Sequence, residues 1–156
     1  MNIFETSILI DCKIKDAFNF HSDTNNLVKI SPDNIKVGIL NLELPLKEGS
    51  IIELKISQLG IISNNWKLQI ENLKPFNLIT DKMISGPFKY WKHDHIFTEK
   101  NGKTLMTDSL NYELPFGFIG KIADKLFLNR MIRKQFEIRH MKTKDILERN
   151  NIQKFS

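Results

Sequence analysis

Two periods of hydrophobic and polar residues divide the chain. From Asn2 to Lys13, Phe4, Thr6, Ile8 and Ile10 alternate with Ile3, Glu5, Ser7 and Leu9, the two-residue period of a strand. The stretch IKDAFNFHSD then spaces Ile14, Ala17, Phe18 and His21 as one face of a helix. A second short helix follows in SDTNNLVKISP, with Asp23 or Thr24 as its cap and Pro32 closing it. Six more strand-like pieces come next: Ile35–Leu44, Ser50–Leu59, Asn65–Leu73, Leu78–Ser85, Tyr90–Thr98 and Thr104–Leu114. The turn signals PLKEG, GIISNN, KPFN, SGPF and KNGK separate them. Strands at such short intervals predict an antiparallel meander, because parallel crossovers need far longer connections.

After ELPFGFIG the period becomes helical, from about Ile119 to Glu148, with a kink predicted near Leu128–Asn129. Ile119, Ile122, Ala123, Leu126, Phe127, Met131, Ile132 and Phe136 form one broad apolar stripe. Such a helix must bury its stripe, and the concave face of a curved sheet is the surface available. The predicted class is therefore α+β: a curved antiparallel sheet of about seven strands, two short helices after strand 1, and a long C-terminal helix in the concave face. A sheet wrapped around one helix leaves a gap, and an apolar gap suits a ligand.

Composition sharpens this picture. A chain of 156 residues is one domain's worth, placed at residues 1–150 with 151–156 as a tail. Eleven Phe against two Tyr supply bulk without a polar tip, as a large apolar interior requires. Cys12 stands alone, so no disulfide can form within the chain, which suits a reducing compartment. The N-terminal apolar stretch is interrupted by Glu5 and Asp11 and lacks a basic leader, and no stretch is long enough to span a membrane. A cytoplasmic location is expected.

The net charge of +5 concentrates between Asn129 and Arg149, which alone carry +4. That excess reads first as a solvated helix face, with attraction to an anionic surface as the alternative. Nucleic acid is not an expected partner, since the aromatic residues fall on inward positions and no recognition motif is present. Peripheral membrane contact through PFGFIG and the basic helix is compatible with the pattern.

Asn101-Gly102 is the favoured pair for a two-residue type I′ turn. That turn fixes a register. His95 faces Asp108, Phe97 faces Met106, His93 faces Leu110 and Trp91 faces Tyr112. This side of the hairpin holds more of the large apolar groups and is predicted to face inward. The register brings His95 to Asp108 and gives His93 a different neighbour. Arg139 falls near Leu128 and Ile132 on the helix wheel, and an arginine on an apolar stripe needs an acid or an exit to water. Asp108 and Asp81 are its candidate partners.

These residues admit several chemistries. His93 and His95 with Asp108 or Asp81 have metal-ligand character, but His-x-His on a strand also arises by chance. Because the register separates the two histidines, neither a metal nor a cofactor is expected. A His95–Asp108 pair is how a general base is oriented, although no activated serine or cysteine accompanies it. A third reading is ligand recognition: Trp91, His93, His95, Phe97, Asp108, Leu110, Tyr112, Phe136 and Arg139 would bind an apolar body with one polar or anionic head. Lastly, a buried His–Asp–Arg network can exist only to satisfy itself.

Three stretches carry a resemblance to a known family. GPFKYWKHDHIF, Gly86–Phe97, follows a GPF-x-x-W-x-H-x-H-x-F pattern. Thr104–Pro115 follows T-x-L-T-D-x-x-x-Y-x-L-P, with Met106 before Thr107. The segment Arg133–His140 ends in F-x-x-R-H. Together with the element order they resemble a bacterial single-domain subgroup of the START/polyketide-cyclase (SRPBCC) superfamily, whose fold is the helix-grip. The resemblance implies binding or carriage of a hydrophobic or amphipathic small molecule, such as a lipid, quinone or polyketide, in an internal cavity. It equally admits a cyclase, dehydratase or hydrolase that uses His95 and Asp108.

Overall fold

The computed structural model describes residues 1–58, 60, 62–115 and 127–153. Seven strands form one antiparallel sheet: β1 (Asn2–Ile10), β2 (Ile35–Leu42), β3 (Ile51–Gln58), β4 (Ile62–Lys74), β5 (Leu78–Ser85), β6 (Tyr90–Lys100) and β7 (Lys103–Glu113). Two short helices, α1 (Ile14–His21) and α2 (Asn26–Ile30), follow β1, and a long helix, α3 (Asn129–Gln153), closes the described chain. The strand order is β1-β7-β6-β5-β4-β3-β2. The two small helices therefore carry the chain from one edge of the sheet to the other, and the meander walks back until β7 meets β1. The curved sheet gripping α3 is the helix-grip architecture.

Strand ends differ modestly from the sequence periods. β1 stops at Ile10 because Cys12 already turns, its N–H donating to the Ile10 carbonyl at 2.9 Å. β4 begins at Ile62, three residues before the predicted start, pairing Ile62 with Gln58 of β3. The start of the expected long helix, residues 119–126, and most of the PFGFIG stretch lie outside the described residues, while the rest of that helix is α3. Near the predicted kink, residues 127–128 wind as π-helix before regular α-helix begins at Asn129.

The β6–β7 hairpin has the predicted register. Asn101 (φ 53°) and Gly102 (φ 77°) both take the left-handed region that a type I′ turn demands. Trp91 then pairs with Tyr112, His93 with Leu110, His95 with Asp108 and Phe97 with Met106. On the other flank of β7, β1 sets Phe4 against Leu110 and Thr6 against Asp108.

α3 buries Ile132, Phe136, His140, Thr143 and Leu147. These recur every three or four residues, one stripe at helical period. Phe136 meets Phe4 of β1 with ring centroids 5.3 Å apart. Lys142 Nζ donates to the Ser31 carbonyl at 2.8 Å, tying α3 to the end of α2. Glu148 Oε1 accepts from the Asp11 N–H at 2.8 Å, tying it to the end of β1. Among the described residues no helix is long and apolar enough to cross a membrane.

Candidate functional site

Between the concave sheet and the three helices lies a cavity of about 300 Å³. Its apolar wall comes from Ile52 and Leu54 on β3, Trp66, Leu68 and Ile70 on β4, Ile79 on β5, and Leu128, Ile132 and Phe136. An aromatic corner closes one side. Trp66 and Trp91 meet edge to face at 5.0 Å, and Phe88 packs on both at 5.5 and 4.8 Å.

The polar part is concentrated. Asp81, His93, His95, Asp108, Arg139, His140 and His21 all line the same space. Asp108, only 3% exposed, is the hub. Its Oδ1 accepts from His93 Nε2 at 2.8 Å and its Oδ2 accepts from His140 Nε2 at 2.5 Å. His95 Nδ1 also lies 2.6 Å from Asp108 Oδ1. That contact is ionic in distance but poorly directed for a hydrogen bond, so Nδ1 has no well-aligned partner among the described residues. Asp81 supports the other side. Its Oδ1 accepts from Trp91 Nε1 at 3.3 Å, and its Oδ2 lies 3.4 Å from His93 Nδ1.

Charge in this cluster follows from the pairing. Burial pushes the Asp108 carboxyl up, but the three histidines outweigh it and hold it well below the usual carboxylate range. Asp81 is likewise lowered, burial being outweighed by His93 and His95. Burial works against charge on His93, yet Asp108 and Asp81 overcome it and raise its pKa to about 9. His21 makes no ion pair among the described residues; burial and the neighbouring His95 lower it to about 3. Burial also lowers the Arg139 guanidinium, against the attraction of Asp108 and Asp81.

Of the residues singled out from sequence, Trp91, His93, His95, Asp108, Phe136 and Arg139 line the cavity. Phe97, Leu110 and Tyr112 do not. They are buried on the same sheet face, with Phe97 under Phe18 at 5.6 Å and Tyr112 beside Phe88 at 6.0 Å. They pack the floor beneath the lining residues, where the expected lining had them facing the cavity.

Two further expectations change. The register was expected to give Asp108 to His95 and separate His93 from it. Instead His93 reaches diagonally across the hairpin and bonds the same oxygen, as an imidazole at the i, j±2 position can. The two rings sit 4.0 Å apart. Arg139 was expected to pair with Asp108 or Asp81, yet it makes no ion pair among the described residues. It lies 5.6 Å over the Phe136 ring instead. The centre of the α3 stripe is Phe136, Thr143 and Leu147, and at about 100° per residue His140 falls nearer that centre than its neighbour Arg139. His140 therefore takes Asp108.

The sequence reading passed over His21 and His140, although His21 sat on the α1 stripe and His140 ended a quoted motif. From sequence, Asp81 stands only as a candidate partner of Arg139 or of the two histidines. The β5–β6 ladder pairs it with His93 and turns it inward. Thr143 was not singled out. Its hydroxyl is fully buried at the cavity wall and has no hydrogen-bond partner among the described residues.

The fold has solved counterparts. A protein from Chromobacterium violaceum superposes with a TM-score of 0.76 at 9% identity, covering 95% of this chain and 99% of that one. A START superfamily protein from Mycobacterium smegmatis gives 0.67 at 11% identity, with coverages of 92% and 98%. The di-domain ARO/CYC StfQ from the steffimycin biosynthetic pathway gives 0.75 at 12% identity, with 96% of this chain matched to 51% of that one. At these identities the likeness is one of fold. No curated protein matches the chain by sequence. The family model described as polyketide cyclase / dehydrase and lipid transport matches residues 10–137. With the helix-grip sheet and that match over most of its length, the chain belongs to the polyketide cyclase / dehydrase and lipid transport family.

Proposed function

We propose that this protein binds a hydrophobic or amphipathic small molecule inside the cavity, apolar body against β3 and β4 and polar or anionic head at the Asp–His–Arg cluster. One observation carries the reading: much of the cavity wall is aliphatic and aromatic, while His93, His95 and His140 converge on Asp108, with Asp81 beside them. That is how a pocket fixes the orientation of a ligand with two unlike ends. Arg139 supplies the head contact. It lines the cavity and makes no ion pair among the described residues, so a ligand anion would gain a charge-assisted hydrogen bond there. The families of lipid carriers and cyclases that share this fold support such a ligand, and its chemical identity follows from the experiment.

The test is displacement of an environment-sensitive apolar dye. Wild-type protein is expected to bind the dye saturably at one site and to release it to a long-chain carboxylate. Arg139→Gln is expected to weaken the carboxylate by about tenfold, the value of one such bond, while the uncharged alcohol of the same length competes as before. Absence of saturable dye binding would sink the reading.

The close contact of His95 Nδ1 with Asp108 favours one alternative, a cyclase, dehydratase or hydrolase in which His95 acts as base on the bound ligand. Turnover by purified protein that disappears in His95→Ala, with the fold intact, would establish it.

A further inference from the structure

All four histidines of the chain meet in this one corner of the cavity. His21 lies 5.2 Å from His95, His95 lies 4.0 Å from His93, and His140 reaches Asp108 from the helix. A network that existed only to satisfy itself would use its donor and acceptor atoms internally. Here three atoms are held only by one another, at long range, and they sit together. Asp81 uses Oδ1 to accept from Trp91, which leaves Oδ2. His93 uses Nε2 on Asp108, which leaves Nδ1. His95 turns Nδ1 to Asp108, which leaves Nε2. Asp81 Oδ2 is 3.4 Å from His93 Nδ1 and 3.8 Å from His95 Nε2. One donor atom from each of the three residues lies within 4.8 Å of the others.

The two carboxylate–imidazole spacings, 3.4 and 3.8 Å, are close to the edges of a coordination polyhedron. A tetrahedral ion with bonds of ~2.0–2.1 Å holds its ligand atoms about 3.3–3.4 Å apart. We infer that Asp81, His93 and His95 form a binding site for a first-row divalent transition ion. Two imidazole nitrogens and one carboxylate oxygen suit zinc, cobalt, iron or nickel, and do not suit calcium or magnesium, which prefer oxygen alone. Asp108 stands behind the site as the carboxylate that orients both imidazoles, the outer-shell arrangement found behind metal-bound histidines. Trp91 orients Asp81 in the same way.

The backbone fixes the geometry. Asp81 and His93 are paired across β5 and β6, and His95 is the next residue on the same face of β6. All three line the cavity, so the coordination positions left open face the ligand space. A three-ligand site with open positions is the pattern of metals that bind substrate, not of purely structural ones. This departs from the metal-free site expected from sequence. It is independent of the amphiphile reading, because the ion is measured on protein without any organic ligand.

The experiment uses tag-free protein stripped with a chelator and titrated with Co(II), followed by its visible d–d absorption and by displacement with Zn(II). One equivalent is expected to bind. Asp81→Asn and His95→Gln should each weaken binding by more than about 100-fold, beyond the 10–100-fold typical of losing an outer-shell partner. Both side chains are partly exposed, at 14% and 20%, so these variants are expected to keep the wild-type circular dichroism spectrum. Failure of the wild type to take up either ion stoichiometrically would overturn the inference. So would binding that survives either substitution unchanged.

Discussion

Asp108 is one carboxylate that answers to three histidines, and its neighbourhood sets how the protein responds to pH. His93 is raised from 6.5 to about 9. The folded state holds that proton more tightly than the unfolded chain does. Its stabilisation is complete below pH 6.5 and is lost as pH rises toward 9. His21 is lowered from 6.5 to about 3, so the folded state refuses a proton that the unfolded chain accepts. Stability therefore also falls as pH drops from 6.5 toward 3. Burial is the main cause; His95 and His93 on β6 add to it, while Asp108 on β7 and the Ala17 carbonyl on its own helix oppose it. Asp108 and Asp81, both held low, add to the acid limb. Metal-free protein should thus show its highest urea midpoint near pH 6.5, the ordinary histidine value. His93→Gln, although less stable throughout, should lose the decline between pH 6.5 and 9. A wild-type midpoint that climbs steadily to pH 9 would contradict the pairing.

At the level of elements, α3 presents a hydroxyl where a methyl would be expected. Thr143 is completely buried and its Oγ1 has no partner among the described residues. A buried hydroxyl without a bond costs about 1–3 kcal/mol. Thr143→Val should therefore stabilise the ligand-free protein by roughly 1 kcal/mol on the same scale, read as a higher denaturant midpoint with unchanged slope. The same change should weaken the carboxylate ligand if the hydroxyl is one of its contacts. Elements also mark where reading from sequence stopped. The β6–β7 register was legible because Asn101-Gly102 leaves a two-residue turn only one good backbone. That turn placed His95 opposite Asp108 in advance. α3 was legible as a helix but not in its phase. Arg139 and His140 are adjacent on its surface, and the packing of Phe136 on Phe4 decides which of them points at β7.

For the whole molecule, the cavity is a cost as well as a site. A cavity of about 300 Å³ forgoes side-chain contacts that a fully packed core would make. Filling it should stabilise the fold by mass action. A carboxylate ligand at 100 times its dissociation constant should contribute about 2.7 kcal/mol and raise the melting temperature in a concentration-dependent way. The stabilisation should be smaller in Arg139→Gln. An unchanged melting temperature at saturating ligand would mean that binding is not in the folded cavity.

The amino-acid sequence by itself determined the order of elements, the antiparallel meander, the hairpin register and a Phe-rich interior. Each is written in local periodicity or in a two-residue turn, and local backbone preferences need no distant partner. Only the tertiary structure decided which polar side chains meet. Asp81 turned inward because the β5–β6 ladder pairs it with His93, and a sheet register between strands joined by a longer turn is not set locally. His21 and His140 joined the cluster because α1 and α3 pack onto the concave face from far along the chain. Phe97, Leu110 and Tyr112 share the inward face with the site residues, and the helices above them decided that they fill the floor while Trp91, His93 and His95 border open space. A pleat tells a side chain which face it occupies, and the partner packed on that face determines whether it meets protein or ligand.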